Sequence, residues 1–265
     1  MIDWDDAYEN SAYIPGAGHY PDQWKDLAKA YRKSANFLER DISYGSHPRE
    51  KYDLFQPDTP SKGVLVFVHG GYWMKLDKSF WSHLSEGARA RGWTVAIPSY
   101  VLAPEARIAE ITRQIATAIT QISNSHKGPI RLAGHSAGGH LVSRMLCADG
   151  PLSANVYGQI EHVVSISGLH DLRPLLKTKM NQVLGLTKTE AEAESACLFG
   201  PVDNARLTTW VGSKERPEFI RQSQLQVKAW GDTKANCIID PDHHHFSVIG
   251  DLAKPSSPIV NCLLG

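Results

Sequence analysis

A serine between two glycines is the residue of this sequence best suited to chemistry. Ser136 lies at the centre of the motif GHSAG, residues 134–138, and a run of helical character follows it. In a nucleophile elbow, the serine stands on a strained turn between a strand and a helix, where glycines give the backbone room and the hydroxyl stands clear of the sheet. A short run rich in branched side chains, residues 130–133, comes directly before the motif and predicts the strand that this geometry requires. The sequence therefore predicts Ser136 as a nucleophile.

Glu215 and a run of three histidines supply the partners that such a serine needs. A serine hydroxyl is a poor nucleophile at neutral pH, so a base must lie within hydrogen-bond reach and a carboxylate should hold that base. After an elbow, the acid precedes the histidine along the chain. Glu215 follows a branched run at residues 207–211, and the histidines, residues 243–245, follow the next run at 237–239. The three roles are thus filled in the expected order.

The choice among the three histidines depends on the residues that follow them. Apolar residues at 246, 248 and 249 would begin a helix that anchors His245, so we expect His245 to be the base and keep His244 as the alternative. A zinc site is the competing interpretation of the histidine run. Because adjacent side chains point in different directions, three neighbours are poorly placed to bind one ion. We therefore expect no metal, and no other cofactor.

The motif HGGYW, residues 69–73, is suited to stabilising a developing negative charge. It directly follows an apolar run, which is where an oxyanion loop belongs on such a fold. Gly70 and Gly71 let the backbone turn its N–H groups toward an oxyanion, and the N–H groups of Tyr72 and Ala137 complete the expected oxyanion hole. The competing interpretation is a tight turn with a buried tryptophan.

Three side chains are expected to contact the substrate. Tyr72 and Trp73 would form an aromatic wall beside the acyl or leaving group. His135 directly precedes the nucleophile and is the third predicted contact, although it could instead pack or bond locally.

A parallel sheet is the framework that would bring these scattered residues together. Short branched runs alternate with longer amphipathic stretches such as 108–122 and 217–230, and repeated strand–helix–strand units imply right-handed crossovers. Residues 41–55 are better explained as an antiparallel hairpin at one end of the sheet. The predicted fold class is therefore α/β, with a mostly parallel central sheet and helices on both faces. The predicted strands lie at residues 64–68, 94–97, 130–133, 163–166, 207–211 and 237–239.

Two further segments are expected to border the site. Residues 1–40 carry several large aromatic rings and have helical character from 23 to 40, so this segment should pack near the cleft. Residues 171–199 follow a predicted strand and are helical in character, which makes them a small cap over the edge of the sheet. No linker or repeat divides the chain, and we expect a single domain over residues 1–265.

The composition excludes several classes of protein. The chain has 265 residues, of which 42% are apolar and 21% charged, and its formal net charge is zero. This balance provides no field that would attract nucleic acid or an anionic membrane, so neither is an expected partner. The four cysteines lie far apart, and the first residues lack the basic and apolar stretches of a secretory signal. We therefore expect four buried thiols and a cytoplasmic protein.

The motifs together resemble the α/β-hydrolase superfamily and, within it, the kynurenine formamidase (arylformamidase) branch, which is related to hormone-sensitive-lipase-like esterases. HGGYW at 69–73 is similar to the oxyanion motif of that branch, and GHSAGGH at 134–140 is similar to its elbow. Residues 215–223 resemble a stretch whose first residue is the triad acid, and His245-Phe246 resembles the catalytic His-Phe pair. The sequence departs from the pattern at Glu215, where the branch usually has aspartate.

The resemblance implies a serine hydrolase that cleaves N-formylkynurenine or a similar aryl formamide through an acyl-enzyme, with activity on short acyl esters. The expected partner is thus a small-molecule ester or amide. Two alternatives stay open: a general short-chain esterase or thioesterase without formamidase activity, and a hydrolase-fold binding protein that has lost catalysis. The sequence also leaves the oligomeric state open, with a homodimer among the options.

Overall fold

An eight-stranded sheet organises the computed structural model, which describes residues 2–35 and 38–265. The spatial order of the strands is β1-β2-β4-β3-β5-β6-β7-β8. β1 pairs with β2 and β2 with β4 in the antiparallel sense, and all other neighbours are parallel. The mostly parallel sheet and the terminal hairpin are therefore confirmed. The strands are β1 (Leu38–Ser43), β2 (Lys51–Phe55), β3 (Val64–Val68), β4 (Thr94–Pro98), β5 (Ile130–His135), β6 (Ile160–Ile166), β7 (Leu207–Gly212) and β8 (Ala235–Asp240).

Helices cover both faces of this sheet, which explains why its central strand β3 is apolar throughout. In β3, all five residues are buried. Val66 belongs to the hydrophobic cluster on one face, and its neighbour Leu65 belongs to the cluster on the other. Successive side chains of a strand point to opposite faces, so a strand that is covered on both faces buries every side chain and favours apolar residues.

The helices fill the connections between strands. They are α1 (Trp4–Ala7), α2 (Tyr20–Ser34), α3 (Glu86–Ala90), α4 (Ile108–Ser125), α5 (Ala137–Arg144), α6 (Ala154–Tyr157), α7 (Asn181–Leu184), α8 (Lys188–Ala193), α9 (Pro217–Trp230) and α10 (Pro258–Leu264). Short 3₁₀ turns lie at Ser11–Tyr13, Ala17–His19, Lys78–Phe80, Ser82–Ser85, Arg173–Lys177, Ala196–Leu198 and Gly250–Ala253.

The sequence explains where two of these helices lie. α4 buries an isoleucine at nearly every turn of one face, at positions 108, 111, 115, 119 and 122. α9 begins at Pro217, whose fixed φ suits a first helical position, and ends before Gly231, which adopts a φ of 77°. Both helices were expected from the sequence, and both are confirmed.

Three expectations about local structure are wrong. α2 ends at Ser34 and not at residue 40, because the chain beyond it enters β1, whose pairing with β2 overrides local helical preference. The helix expected from residue 246 is a series of turns, since the side chain of His244 accepts the N–H groups of Phe246 and Ser247. Of the four free cysteines, only Cys147 is fully buried.

The two flanking segments meet beside the sheet. α2 packs on the 3₁₀ turns at Lys78–Phe80 and Ser82–Ser85, where the rings of Trp24 and Trp81 have centroids 4.8 Å apart. α1 contacts the turn at Arg173–Lys177, which belongs to the insertion after β6. In the part of the chain that the structure describes, no helix has the length and apolar character needed to span a membrane.

Candidate active site

Ser136 stands on a strained turn between β5 and α5. Its φ of 55° and ψ of −115° are rare for a residue with a side chain. The flanking glycines permit this turn. A Cβ atom on Gly134 would lie 2.2 Å from the carbonyl oxygen of Gly138, and a Cβ on Gly138 would lie 2.0 Å from that of Val68. The chain therefore has the backbone of a nucleophile elbow, at the serine where the motif predicts one.

The carboxylate of Glu215 lies against the imidazole of His245. Oε2 of Glu215 is 2.7 Å from Nδ1 of His245, and both side chains are almost completely buried. The other carboxylate oxygen, Oε1, accepts hydrogen bonds from Oγ of Ser167 at 2.5 Å and from the backbone N–H of Gly212 at 2.9 Å. A carboxylate fixed in this way keeps the proton of a neutral imidazole on Nδ1 and leaves Nε2 as an acceptor.

The imidazole of His245 is held between two rings. The ring centroid of Phe219 lies 4.4 Å from that of His245, and the centroid of His135 lies 4.7 Å away. Nε2 of His135 also donates to the carbonyl oxygen of His245 over 2.9 Å. Burial, reinforced by the nearby His245, holds the pKa of His135 well below its usual range, so this donor stays a neutral imidazole.

Ser136 and His245 line the same cavity. Among the described residues, Ser136 Oγ has no hydrogen bond to His245, a contact that often tightens only when substrate binds. The turn over residues 243–249 holds His245 by burying Val248 and Ile249 in the sheet's hydrophobic cluster. The apolar anchor that the sequence predicts is thus present, although it is not helical.

The three adjacent histidines engage three different partners. Nδ1 of His243 meets Oγ of Ser247 at 3.1 Å, and Nε2 of His244 meets the hydroxyl of Tyr20 at 3.1 Å. His245 alone contacts Glu215. Both ring nitrogens of His244 are occupied by Tyr20 and by the local turn, which disfavours it as the base. No cluster of three metal-binding side chains occurs within residues 2–35 and 38–265.

The HGGYW loop brings backbone N–H groups beside Ser136. A Cβ on Gly70 would lie 3.0 Å from Cβ of Ser136, so the loop passes directly over the elbow. Nδ1 of His69 lies 2.7 Å from the carbonyl oxygen of Gly70, and a hydrogen bond there turns the N–H of the next residue the opposite way. In the described chain, the N–H groups of Gly71, Tyr72 and Ala137 have no acceptor within the protein.

The two aromatic residues of this loop differ in their placement. Tyr72 lines the cavity, and its hydroxyl donates to the carbonyl oxygen of Tyr8 at 2.5 Å. Trp73 is fully buried, with its ring edge against His140 and not against the cavity. The expectation that Trp73 contacts the substrate is therefore wrong. Both residues have positive φ angles, 52° and 58°, and this backbone turns the second ring inward.

A cavity of about 620 Å³ opens beside Ser136, His135 and His245. Its lining is mainly apolar and aromatic, and nine of the 22 lining residues precede the first strand along the chain. Lys179 and Met180, from the insertion after β6, contribute at another side. The remaining lining residues are Asp5, Tyr8, Glu9, Asn10, Ser11, Ala17, Gly18, Pro21, Trp24, Gly70, Gly71, Tyr72, Met74, Lys75, Leu76, Trp81 and Phe246.

Sequence reasoning missed several residues that build this site. Ser167, Phe219 and Tyr8 lie 48, 26 and 210 positions from the residues they contact, which are Glu215, His245 and Glu218 respectively, so no local pattern reveals them. One signal existed for Ser167, which directly follows β6 at the carboxyl edge of the sheet, where functional residues of parallel folds collect.

Comparisons with known proteins identify the family to which this chain belongs. A family described as alpha/beta hydrolase fold matches residues 65–206. Kynurenine formamidase from Salmo salar is 30% identical over 237 residues, which span 84% of this chain and 80% of that protein. A solved structure described as a candidate thioesterase, from Silicibacter sp. TM1040, is 47% identical with a TM-score of 0.96 and covers 100% of both chains. Esterase B from Lactobacillus rhamnosis, at 16% identity and a TM-score of 0.69, covers 95% of this chain and 93% of its own, and shares the fold.

Proposed function

This chain belongs to the α/β hydrolase family and is an ester or amide hydrolase, and from that premise we propose that it is a serine hydrolase with Ser136, His245 and Glu215 as its triad. The observation that carries the proposal is the 2.7 Å contact between Glu215 and His245, beside a strained serine in the same cavity. A carboxylate, a histidine and an elbow serine in this arrangement are the parts that nucleophilic acyl transfer needs.

The proposed reaction has two halves that use the same base. Nε2 of His245 takes the hydroxyl proton as Oγ of Ser136 attacks the carbonyl carbon, and the resulting oxyanion is bound by the unpaired N–H groups of the HGGYW loop and of Ala137. Collapse breaks the bond to the leaving group, which receives the proton from His245. Water then gives a proton to His245 and attacks the acyl-serine. The bond between the acyl carbon and Oγ breaks, the acid leaves, and His245 returns the proton to Oγ of Ser136.

Glu215 acts in this scheme through His245. Its carboxylate holds the proton on Nδ1 and stabilises the imidazolium that forms during the attack. Two donors, the hydroxyl of Ser167 and the N–H of Gly212, fix the position of the carboxylate. Glutamate has one methylene more than the aspartate of the branch that this sequence resembles. The two hydrogen bonds to Oε1 hold this longer side chain so that Oε2 reaches His245.

An aryl formamide of the N-formylkynurenine type is the substrate class we propose. The curated relatives that match over four-fifths of this chain are kynurenine formamidases. The cavity supports the assignment, because Trp24, Trp81 and Phe246 offer an aromatic wall to an aryl leaving group. The chain would work as a single domain, since both the N-terminal segment and the strand ends line one cavity.

A second candidate is hydrolysis of short-chain esters or thioesters. The solved structure that is 47% identical to this chain is described as a candidate thioesterase, and it matches over the full length. The apolar cavity would also accept an acyl chain. This candidate shares the triad and differs only in the bond that is cleaved.

The decisive experiment combines active-site labelling with a comparison of substrates. A fluorophosphonate should add one label to the wild type and none to Ser136→Ala, as read by intact mass. The wild type should then cleave N-formylkynurenine more efficiently than p-nitrophenyl acetate, p-nitrophenyl butyrate or an acetyl thioester. Labelling without formamide cleavage would favour the second candidate. The absence of both labelling and turnover would contradict the triad and indicate a binding protein without catalysis.

A further inference from the structure

One polar side chain in the cavity wall has no role in the reaction described above. Asn10 follows α1, is only 5% exposed, and lines the same cavity as Ser136. A buried amide has two donors and an acceptor to satisfy, so its hydrogen bonds indicate which way it faces.

The orientation of the Asn10 amide follows from Tyr72. The hydroxyl of Tyr72 donates its one proton to the carbonyl oxygen of Tyr8, which can only accept. The phenol oxygen can therefore only accept from Asn10, whose Nδ2 lies 3.2 Å away. This requirement turns Nδ2 toward Tyr72 and Oδ1 the other way.

Oδ1 of Asn10 has no hydrogen-bond partner among residues 2–35 and 38–265. It is also not one of the fully enclosed polar atoms that lack a partner, so it keeps access to solvent. Because Asn10 is buried on its other sides and lines the cavity, that access leads to the cavity. The site thus presents a fixed acceptor to whatever binds beside Ser136.

We propose that Oδ1 of Asn10 accepts a hydrogen bond from an N–H group on the leaving-group side of the substrate and thereby favours amides over esters. The inference rests on the proposed function and narrows it. A formyl group carries no N–H of its own, so the donor of an aryl formamide must belong to the leaving group. The equivalent ester has an oxygen there and would leave the buried acceptor unpaired, which disfavours its binding.

A two-by-two comparison tests this proposal. Formanilide and phenyl formate share the formyl and phenyl groups and differ only in N–H against oxygen. Their kcat/KM values are measured with the wild type and with Asn10→Leu, which has a similar volume and no acceptor. Asn10→Leu should lower kcat/KM for formanilide by about 10-fold or more relative to its effect on phenyl formate. Intrinsic reactivity cancels in this ratio of ratios.

Two controls keep the result interpretable. Asn124→Leu, on the exposed side of α4 and outside this cavity, should change neither substrate. A second test needs only the wild type and holds even where Asn10→Leu does not fold. The wild type should cleave N-methylformanilide about 10-fold less efficiently than formanilide, because the methyl group removes the N–H donor.

The outcomes separate the inference from the function on which it rests. Equal slowing of both substrates by Asn10→Leu would overturn the inference alone and assign Asn10 to holding Tyr72. Equal cleavage of formanilide and N-methylformanilide would overturn it as well. A wild type that cleaves phenyl formate but not formanilide would overturn the formamidase assignment together with the inference.

Discussion

The carbonyl oxygen of His245 accepts a hydrogen bond from Nε2 of His135 at 2.9 Å. The residue before the elbow serine thereby holds the backbone of the residue that carries the proposed base. The imidazole of His135 also packs on that of His245, so one side chain constrains both the backbone and the ring. The positions of the proposed nucleophile and base are thus coupled by a hydrogen bond between residues that are 110 positions apart in the sequence.

Replacing His135 tests this contact. His135→Phe keeps a ring beside His245 and removes the hydrogen bond, so we expect kcat to fall about 10-fold through misplacement of the base, with KM within about twofold. Steady-state kinetics on a formamide and an ester measure both constants. His126→Phe, at the end of α4, is the matched control. A kcat equal to that of the wild type would show that the hydrogen bond does not position the base.

Two substitutions at Glu215 should differ in severity. Glu215→Gln keeps the shape but favours the wrong imidazole tautomer, and we expect kcat to fall by about 10³ to 10⁴. Glu215→Asp keeps the charge and shortens the side chain, so the carboxylate should lose only one of its hydrogen bonds. We expect kcat to fall by about 10-fold in this variant. Comparable losses in the two variants would contradict a role in holding the proton on Nδ1 of His245.

Ser167 should matter because it fixes the carboxylate and not because it reacts. Its hydroxyl donates to Oε1 of Glu215 at 2.5 Å, and a hydrogen bond to a charged group contributes about 1.5–3 kcal/mol. Ser167→Ala is expected to lower kcat by about 10-fold or more while fluorophosphonate still labels Ser136. Ser213→Ala is the control, because the hydroxyl of Ser213 accepts a hydrogen bond from the backbone N–H of Asp242 and not from a residue of the triad. Identical kinetics for both variants would remove Ser167 from the site.

The elbow should tolerate no side chain at Gly138. A Cβ there would lie 2.0 Å from the backbone oxygen of Val68, so Gly138→Ala should destabilise the fold by about 3 kcal/mol or prevent folding. At Gly158, which has a helical φ of −62°, the nearest atom would lie 3.6 Å away. Urea unfolding of Gly138→Ala and Gly158→Ala tests the contrast. A Gly138→Ala protein as stable as the wild type would mean that β3 and α5 can separate without cost.

Acid should destabilise the folded chain through its buried histidines. Burial lowers the pKa of His69 to about 4 and those of His140 and His170 to about 3, whereas an unfolded histidine titrates near 6.5. Below pH of about 6.5 the unfolded state takes up protons that the folded state refuses. Each such histidine then removes about 1.4 kcal/mol of stability per pH unit until its own folded pKa is reached.

Urea unfolding at several pH values measures this loss. The free energy of unfolding should fall steeply between pH 6.5 and 4.5, and His170→Gln should reduce the slope even where it lowers stability at pH 7.5. His19→Gln, at an exposed position, should leave the slope unchanged. Stability that stays constant from pH 7.5 to 5 would be incompatible with histidines that remain neutral in the fold.

The sequence predicts those parts of the site that depend on local patterns. The elbow, the glycine loop and the order of acid before histidine are readable because each follows an apolar strand directly. Glu215 and His245, the predicted acid and base, contact each other at the ends of the adjacent strands β7 and β8.

What the sequence does not predict depends on contacts between distant segments. The inward turn of Trp73 follows from a positive φ that no composition reveals. The end of α2 is set by the pairing of β1 with β2, and the turn after His245 is set by the His244 side chain. The orientation of Asn10 depends on a phenol 62 residues away.

Residues 5–24 line the cavity but include none of the proposed catalytic residues, so substrate selection and bond cleavage depend on different parts of the chain. The proposed nucleophile, base and acid stand at strand ends of the sheet, whereas nine of the 22 residues that line the cavity precede the first strand. Variation confined to this early segment can alter which molecules are accepted while leaving the bond-breaking groups intact. A mutant library restricted to this segment, with Tyr8 and Asn10 kept, would therefore vary the substrates that are accepted while retaining the three proposed catalytic groups.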